Sequence, residues 1–245
     1  MEDETKKINS TYPTFDFETG EVLLVDKPLG WTSFDVVNKI RNALKPLKLK
    51  VGHAGTLDPL ATGLLIVCTG KRTKTIDALQ AQEKEYTGTF ILGATTPSYD
   101  GETAIDQHFD ISDISKSTMD EVVKQFIGPI AQYPPPHSAV KVQGERLYEK
   151  ARRGEQIVLA PRQVTIFEFE LTRIDLPKVD FRVVCSKGTY IRSLAHDFGK
   201  ALGKGAYLGA LRRTRSGEFC VTTAYDVLAL TDHIRSLKEQ TPDKG

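Results

Sequence analysis

The longest uninterrupted apolar run in this chain is five residues, Leu64-Leu65-Ile66-Val67-Cys68. A bilayer-crossing helix needs about 20 apolar residues, so no segment qualifies as one. Five apolar residues between Gly63 and Thr69 read instead as a strand buried in a core. At 245 residues the chain can bury a substantial core without disulfides or metals, as one large domain or two small ones. Its 40% apolar and 27% charged residues exclude a collagen-like or wholly disordered chain.

Other elements can be placed around that strand. Gly20 to Val25 reads as a second buried strand, closed by the turn Asp26-Lys27-Pro28-Leu29-Gly30. Thr32 followed three residues later by Asp35 has the pattern of a capping box. Phe34, Val37, Ile40 and Leu44 then recur at helical spacing until Pro46. A strand is predicted from Tyr86 to Leu92, weakened by Gly88. Ser117 and Asp120 mark a helix start, and Gly128-Pro129 stops that helix. Tyr133-Pro134-Pro135-Pro136 fits neither a central strand nor a helix interior. Residues 132–160 therefore read as an irregular excursion holding one short helix, Arg146 to Arg153.

Val164 to Leu171 and Val179 to Cys185 are predicted strands, the second half-buried by its alternation. Thr189 to Leu202 is a predicted helix with Ile191, Leu194, Ala195, Phe198 and Leu202 on its buried stripe and Arg192 and Lys200 off it. Asp226 to Leu230 reads as helical. No repeat of fixed period divides the chain. The pattern predicts one α+β domain over residues 20–236, a flexible tail over 1–19, an insertion at 132–160 and a loose tail over 237–245.

The N-terminus, Met1-Glu2-Asp3-Glu4-Thr5-Lys6-Lys7, has no apolar segment behind it, so no signal peptide is expected. Cys68, Cys185 and Cys220 form no Cys-x-x-Cys pair, which argues against a disulfide framework or a cysteine zinc site. It points to a reducing cytoplasm.

The 33 basic and 32 acidic residues leave a net charge of +1, but their distribution is uneven. Residues 182–218 carry eight basic groups against Asp197 and Glu218, a surplus of six. Residues 23–57 carry six against Asp26 and Asp35, a surplus of four. Residues 100–121 carry seven acids against Lys116 alone. If the two basic segments share a face, that face attracts a polyanion. Otherwise they are solvated helix faces.

Three stretches could carry chemistry. Gly52 to Gly63 (Gly-His-Ala-Gly-Thr-Leu-Asp-Pro-Leu-Ala-Thr-Gly) is too rich in breakers to form a regular element. It could hold Asp58 or His53 in a fixed place, or be a structural Asp-Pro turn. In Cys185-Ser186-Lys187-Gly188-Thr189-Tyr190-Ile191-Arg192 a strand meets a helix start, where free N–H groups, two cations and a flat ring gather. The bland alternative is an ordinary capped helix. Tyr207 to Arg215 mixes aliphatic and cationic groups, as an edge strand or the wall of a basic groove would.

These stretches, in this order, resemble the TruB family of bacterial tRNA pseudouridine-55 synthases, whose eukaryotic and archaeal relatives include dyskerin. Asp26-Lys27-Pro28-Leu29-Gly30-Trp31-Thr32-Ser33 is similar to the family's first motif, and His53 to Leu65 is similar to its catalytic motif. Lys84-Glu85-Tyr86 resembles the segment with its active-site tyrosine. Cys185 to Leu194 and Leu211-Arg212-Arg213 resemble two later motifs, and Tyr133 to Lys141 with Leu147-Tyr148 resembles its RNA-gripping thumb. The likeness spans residues 20 to 226.

The resemblance implies a pseudouridine synthase fold: a central, mixed and mostly antiparallel sheet flanked by helices, with a thumb-like insertion. It implies isomerisation of uridine in the T loop of tRNA after base flipping, with no cofactor or metal. Asp58 is then the catalytic group and Arg192 its charge partner. Tyr86, Tyr190 and Leu211 are walls of the uracil pocket, His53 a contact to the RNA fold, and Lys27 a residue beside the pocket or a phosphate. The resemblance also implies a monomer with no obligate protein partner and no membrane. Longer members carry a small RNA-binding domain after the catalytic one, for which this chain is expected to have no room. The alternative is a non-catalytic RNA-binding or RNA-chaperone module, which needs the basic face but not Asp58. A sugar hydrolase using Asp58 as nucleophile needs a second carboxylate about 5 Å away, and the nearest in sequence, Asp77 and Glu83, sit in no comparable motif. The acidic segment 100–121 is expected to lie away from the RNA.

Overall fold

The computed structural model describes residues 12–17, 19–136, 141–142, 145–146 and 160–239. The first half runs β1 (Val22–Lys27), α1 (Ser33–Ala43), β2 (Val51–His53), β3 (Ala61–Thr69), α2 (Ile76–Ala81), β4 (Lys84–Leu92), β5 (Ala94–Thr95), β6 (Gln107–His108) and α3 (Lys116–Phe126). The second runs β7 (Gly128–Gln132), β8 (Lys141–Val142), β9 (Glu145–Arg146), β10 (Arg162–Asp175), β11 (Lys178–Cys185), α4 (Ile191–Ala201), β12 (Ala206–Ser216), β13 (Phe219–Cys220), β14 (Tyr225–Asp226) and α5 (Val227–Glu239).

Ten strands form one sheet in the order β14-β1-β3-β12-β4-β11-β10-β7, with β2 beside β3 and β13 beside β12. Only the β1–β14 and β3–β12 pairs are parallel. The fold is thus α+β with a mixed, mostly antiparallel sheet, as expected. The apolar run of β3 has a simple cause. Leu65 and Val67 pack with α1 and α5, while Leu64, Ile66 and Cys68 join a separate cluster with Ile76 and Leu79. A strand covered on both faces has no polar side to alternate with.

The second large core lies under α3 and α4. Phe90 and Phe181 stack with centroids 4.1 Å apart, and Phe198 of α4 stands 5.5 Å from Phe90. Phe169 meets Phe181 edge-on. Full burial of each such ring contributes about 1.5–3 kcal/mol.

Local signals behave as predicted where they dominate. Thr32 caps α1, and both halves of the capping box with Asp35 are present. Several readings need correction. Gly52 to Gly63 is not wholly irregular, because Gly52 and His53 pair in β2 and Ala61 to Gly63 open β3. The α3 cap is Ser115 rather than Ser117. The helix expected from Thr189 to Leu202 runs from Ile191 to Ala201, with Tyr190 as its cap. The last helix runs to Glu239, past the loose tail expected from 237. Arg146, the first residue of the expected short helix, pairs in a strand with Lys141. The rest of that helix, and most of the insertion and both tails, lie outside the described residues. Most consequential, β12 is no edge strand. It is inserted between β3 and β4.

Candidate active site

The loop from Ala54 to Leu60 leaves β2 and returns as β3, and its backbone is fixed from several directions. Ser33 Oγ accepts from Leu57 N at 2.9 Å and donates to Leu57 O at 3.1 Å. Gly30 N donates to Pro59 O at 2.8 Å, and Ala61 N donates to Asp58 O at 3.0 Å. The Leu57 side chain is sunk in the phenylalanine core. With its neighbours anchored, Asp58 is left to project its carboxylate into a cavity of about 810 Å³.

Gly63 sets how closely β3 and β12 approach. It has φ +101°, and a Cβ there would lie 2.3 Å from Arg213 O. A side chain would meet both a disfavoured backbone conformation and a carbonyl.

Arg192, the second residue of α4, reaches Asp58. Its Nε lies 3.0 Å from Asp58 Oδ2, with the arginine side chain 7% exposed and the aspartate 42% exposed. Arg192 falls off the apolar stripe of α4, yet its side chain is buried. A guanidinium can be buried when carboxylates surround it, and there are two. Asp100 Oδ2 stands 3.5 Å from Arg192 Nη1. Asp100, the first residue of the acidic segment, thus stands against the arginine of the site without lining the cavity itself. The loop before Asp100 is tightly tied. Thr96 Oγ1 and Ser98 Oγ donate to Asp100 O at 2.7 and 3.2 Å. Tyr99 adopts φ 64° and stacks on His196 of α4 with centroids 3.9 Å apart. Such a backbone persists only where its surroundings hold it.

The cavity walls include Tyr86, Tyr190, Ile191 and Leu211. Burial raises the Tyr86 phenol above its ordinary range, opposed by the charge and hydrogen bond of Arg213. Arg213 is a buried residue whose role the sequence did not reveal. Its Nε donates to Leu64 O at 2.7 Å and its Nη2 to Gly55 O at 3.1 Å, so it ties the Ala54–Leu60 loop to β3 from below. Lys84, also lining the cavity, donates to Gln80 O and Gln82 O, and burial pulls its ammonium down to about 8. In all, Arg162, Lys84, Lys187, Arg192 and Arg213 face the cavity against Asp58 and Asp77. That imbalance suits an anionic ligand.

Of the seven residues singled out in sequence, five meet at this cavity: Asp58, Tyr86, Tyr190, Arg192 and Leu211. His53 and Lys27 do not line it. His53 sits in β2, where burial, then the Arg213 charge, holds its imidazole below the ordinary range. Lys27 is fully buried, and its Nζ donates to Pro28 O, Trp31 O and Pro59 O at 2.9, 2.5 and 3.5 Å. Burial lowers it to about 8, with Asp58 the largest opposing charge. Its position binds the 28–31 turn to the loop that bears Asp58. The two basic segments also part company. Residues 182–215 send Lys187, Arg192 and Arg213 to the cavity, whereas Lys39, Lys45, Lys48 and Lys50 do not line it.

Comparison with known proteins turns this geometry into kinship. Residues 41–191 match the N-terminal domain of the TruB family of pseudouridylate synthases, well over half of the chain. The chain belongs to the TruB family. Residues 192–244 match the C-terminal domain of tRNA pseudouridylate synthase B. The chain is 57% identical over 225 residues to the tRNA pseudouridine synthase B of Flavobacterium johnsoniae, covering 90% of this chain and 98% of that one. It is 51% identical to the enzyme of that name from Chloroherpeton thalassium, covering 88% and 90%. Among solved structures it resembles an H/ACA ribonucleoprotein bound to a substrate RNA containing 2′-deoxyuridine. That match has TM-score 0.68 and 31% identity, over 93% of this chain and 57% of that one. An archaeal box H/ACA complex matches with TM-score 0.67 and 32% identity, over 91% and 56%. The chain thus spans little more than half the length of those solved chains.

Among the described residues, no cluster of His, Cys, Asp or Glu could hold a metal ion. No described helix is long and apolar enough to cross a membrane.

Proposed function

We propose that this TruB-family enzyme converts uridine to pseudouridine in the T loop of tRNA. The observation that carries the reading is the Asp58 carboxylate, held 3.0 Å from a buried guanidinium inside a cavity walled by two tyrosines and two aliphatic side chains. A uridine in a folded loop must leave its stack to reach such a cavity, at a cost of a few kcal/mol. Rings at Tyr86 and Tyr190 supply faces for the extruded base, and the cationic rim supplies attraction to the phosphates.

In the reaction the N1–C1′ bond of the nucleotide breaks and a C5–C1′ bond forms. The proton on C5 leaves and N1 gains one, so no atom and no electron is lost. Asp58 acts as an anion in this sequence, and Arg192 orients it from 3.0 Å away. Asp100 on the far side holds the guanidinium in place. Tyr86 stacks on the base and assists proton removal. Residues 20–236 act as one catalytic domain carrying the insertion at 132–160. The enzyme works as a cytoplasmic monomer without an obligate protein partner.

Single-turnover conversion of a T stem-loop RNA, followed by chemical tagging of pseudouridine, tests the reading. Wild type should convert the RNA, and Asp58→Ala should bind it with little change while forming no product. Equal conversion by both proteins refutes the role of Asp58. Tight binding without conversion by the wild type favours a non-catalytic RNA-binding module, and release of free uracil indicates a hydrolase.

A further inference from the structure

Tyr190 is the cap residue of α4, yet no side-chain hydrogen bond caps this helix. Its peptide is held from a distant part of the chain. Gln132 Oε1 accepts from Tyr190 N at 2.7 Å, and Gln132 Nε2 donates to Tyr190 O at 3.0 Å. The same carbonyl accepts the first bond of the helix, from Leu194 N at 3.0 Å. Gln132 is 1% exposed and ends β7, the last strand of the sheet. One residue on, Tyr133 O accepts from Ser193 Oγ at 2.7 Å. Two successive residues of the chain thus grip the first turn of α4, which carries Tyr190 and Arg192 into the cavity. The preceding turn is tied separately, Ser186 N donating to Thr165 O at 2.9 Å and Thr189 Oγ1 to Ser186 O at 2.9 Å.

We propose that Gln132 is a positioning residue for the isomerisation. Its amide fixes the Tyr190 peptide, and with it the placement of the Tyr190 ring and of Arg192 against Asp58. The proposal rests on the isomerase reading of the cavity. A buried amide could also be retained merely to satisfy polar groups in the core. The two roles differ in what a near-isosteric change of charge does.

In Gln132→Glu the ionised side chain still accepts from Tyr190 N but turns a negative oxygen toward Tyr190 O. The protonated side chain restores one donor and one acceptor in the original places. Burial and the facing carbonyl favour the protonated form. Arg162, opposite in register on β10, and Arg192 on α4 are the nearby cations that oppose this.

The test measures single-turnover conversion of a T stem-loop RNA by wild type and Gln132→Glu across pH. It is paired with hydrogen–deuterium exchange of residues 186–194 in both proteins and in Gln132→Ala. The rate of the glutamate variant relative to wild type should fall at least about tenfold at high pH and recover toward one on acidification, with RNA affinity within about threefold. Exchange in 186–194 should rise in Gln132→Ala while the strands β3 and β4 stay protected. A rate ratio that is flat with pH, or unchanged exchange in 186–194, overturns the proposal. If the wild type itself forms no pseudouridine, the isomerase reading fails, and the exchange comparison alone still decides whether Gln132 holds Tyr190.

Discussion

Replacing Arg192 with lysine keeps the charge and removes the fork. Arg192 presents Nε to Asp58 at 3.0 Å and Nη1 to Asp100 at 3.5 Å from one rigid plane. Lysine has a single nitrogen on a flexible stem and does not reproduce two fixed contacts at once. The loss is then one close guanidinium–carboxylate ion pair, for which the about 1.5–3 kcal/mol of a contact to a charged group sets the upper range. Because Asp58 is 42% exposed, solvent carries part of its field, and the lower end of that range, about 1.5–2 kcal/mol, applies. If the contact orients Asp58 only for the reacting geometry, the rate falls by about 10- to 30-fold. Binding of the RNA, which depends on many phosphate contacts, should change by less than about threefold. Single-turnover conversion and filter binding at fixed salt measure the two quantities separately. A single-turnover rate within about twofold of wild type, or a rate and an affinity that fall together, refutes Arg192 as the orienting partner.

Two further outcomes follow from geometry away from the chemistry. Gly63→Ala should destabilise the protein by about 2 kcal/mol, since φ +101° and a carbonyl 2.3 Å from the new Cβ both oppose it; an unchanged thermal melt refutes the close-approach account. Burial raises the Asp197 carboxyl to about 6. A raised carboxyl makes the fold bind more protons than the unfolded chain, so stability falls as pH rises through about 4 to 6 and stays low above that range. Asp197→Asn should therefore melt higher than wild type at pH 7, with the advantage vanishing near pH 4; the reverse trend would contradict the burial.

How legible each part was depended on the range of the forces that fix it. The capping box of Thr32 and Asp35 is a contact over three residues, so the sequence carries it whole. The five-residue run of β3 survives because a strand covered on both faces leaves no ambiguity. Least legible were the charged residues whose partners lie far away in the sequence. The mixed aliphatic and cationic residues of β12 fitted an edge strand or the wall of a basic groove; the strand is internal, Leu211 and Arg213 line the cavity, Arg213 is buried on two carbonyls and Arg215 pairs with Glu83. Arg192 lay off the apolar stripe because its partners, Asp58 and Asp100, are distant in sequence. Asp100 sat in an acidic stretch whose other members resemble ordinary surface charge. The motif likeness brought five residues to one cavity; Lys27, expected beside the pocket or a phosphate, is sealed beneath the loop that it ties.

The two family-matched regions meet between residues 191 and 192, inside the first turn of α4. Neither region is a self-sufficient body. β12, from the later region, is threaded between β3 and β4 of the earlier one. A ribosome building this chain therefore releases the carboxylate long before the guanidinium, and leaves two neighbouring strands waiting for the one that must slide between them. Assembly of the cavity coincides with closing of the sheet, so a truncated product would hold the loop that bears Asp58 yet lack both its counter-charge and the floor on which it stands.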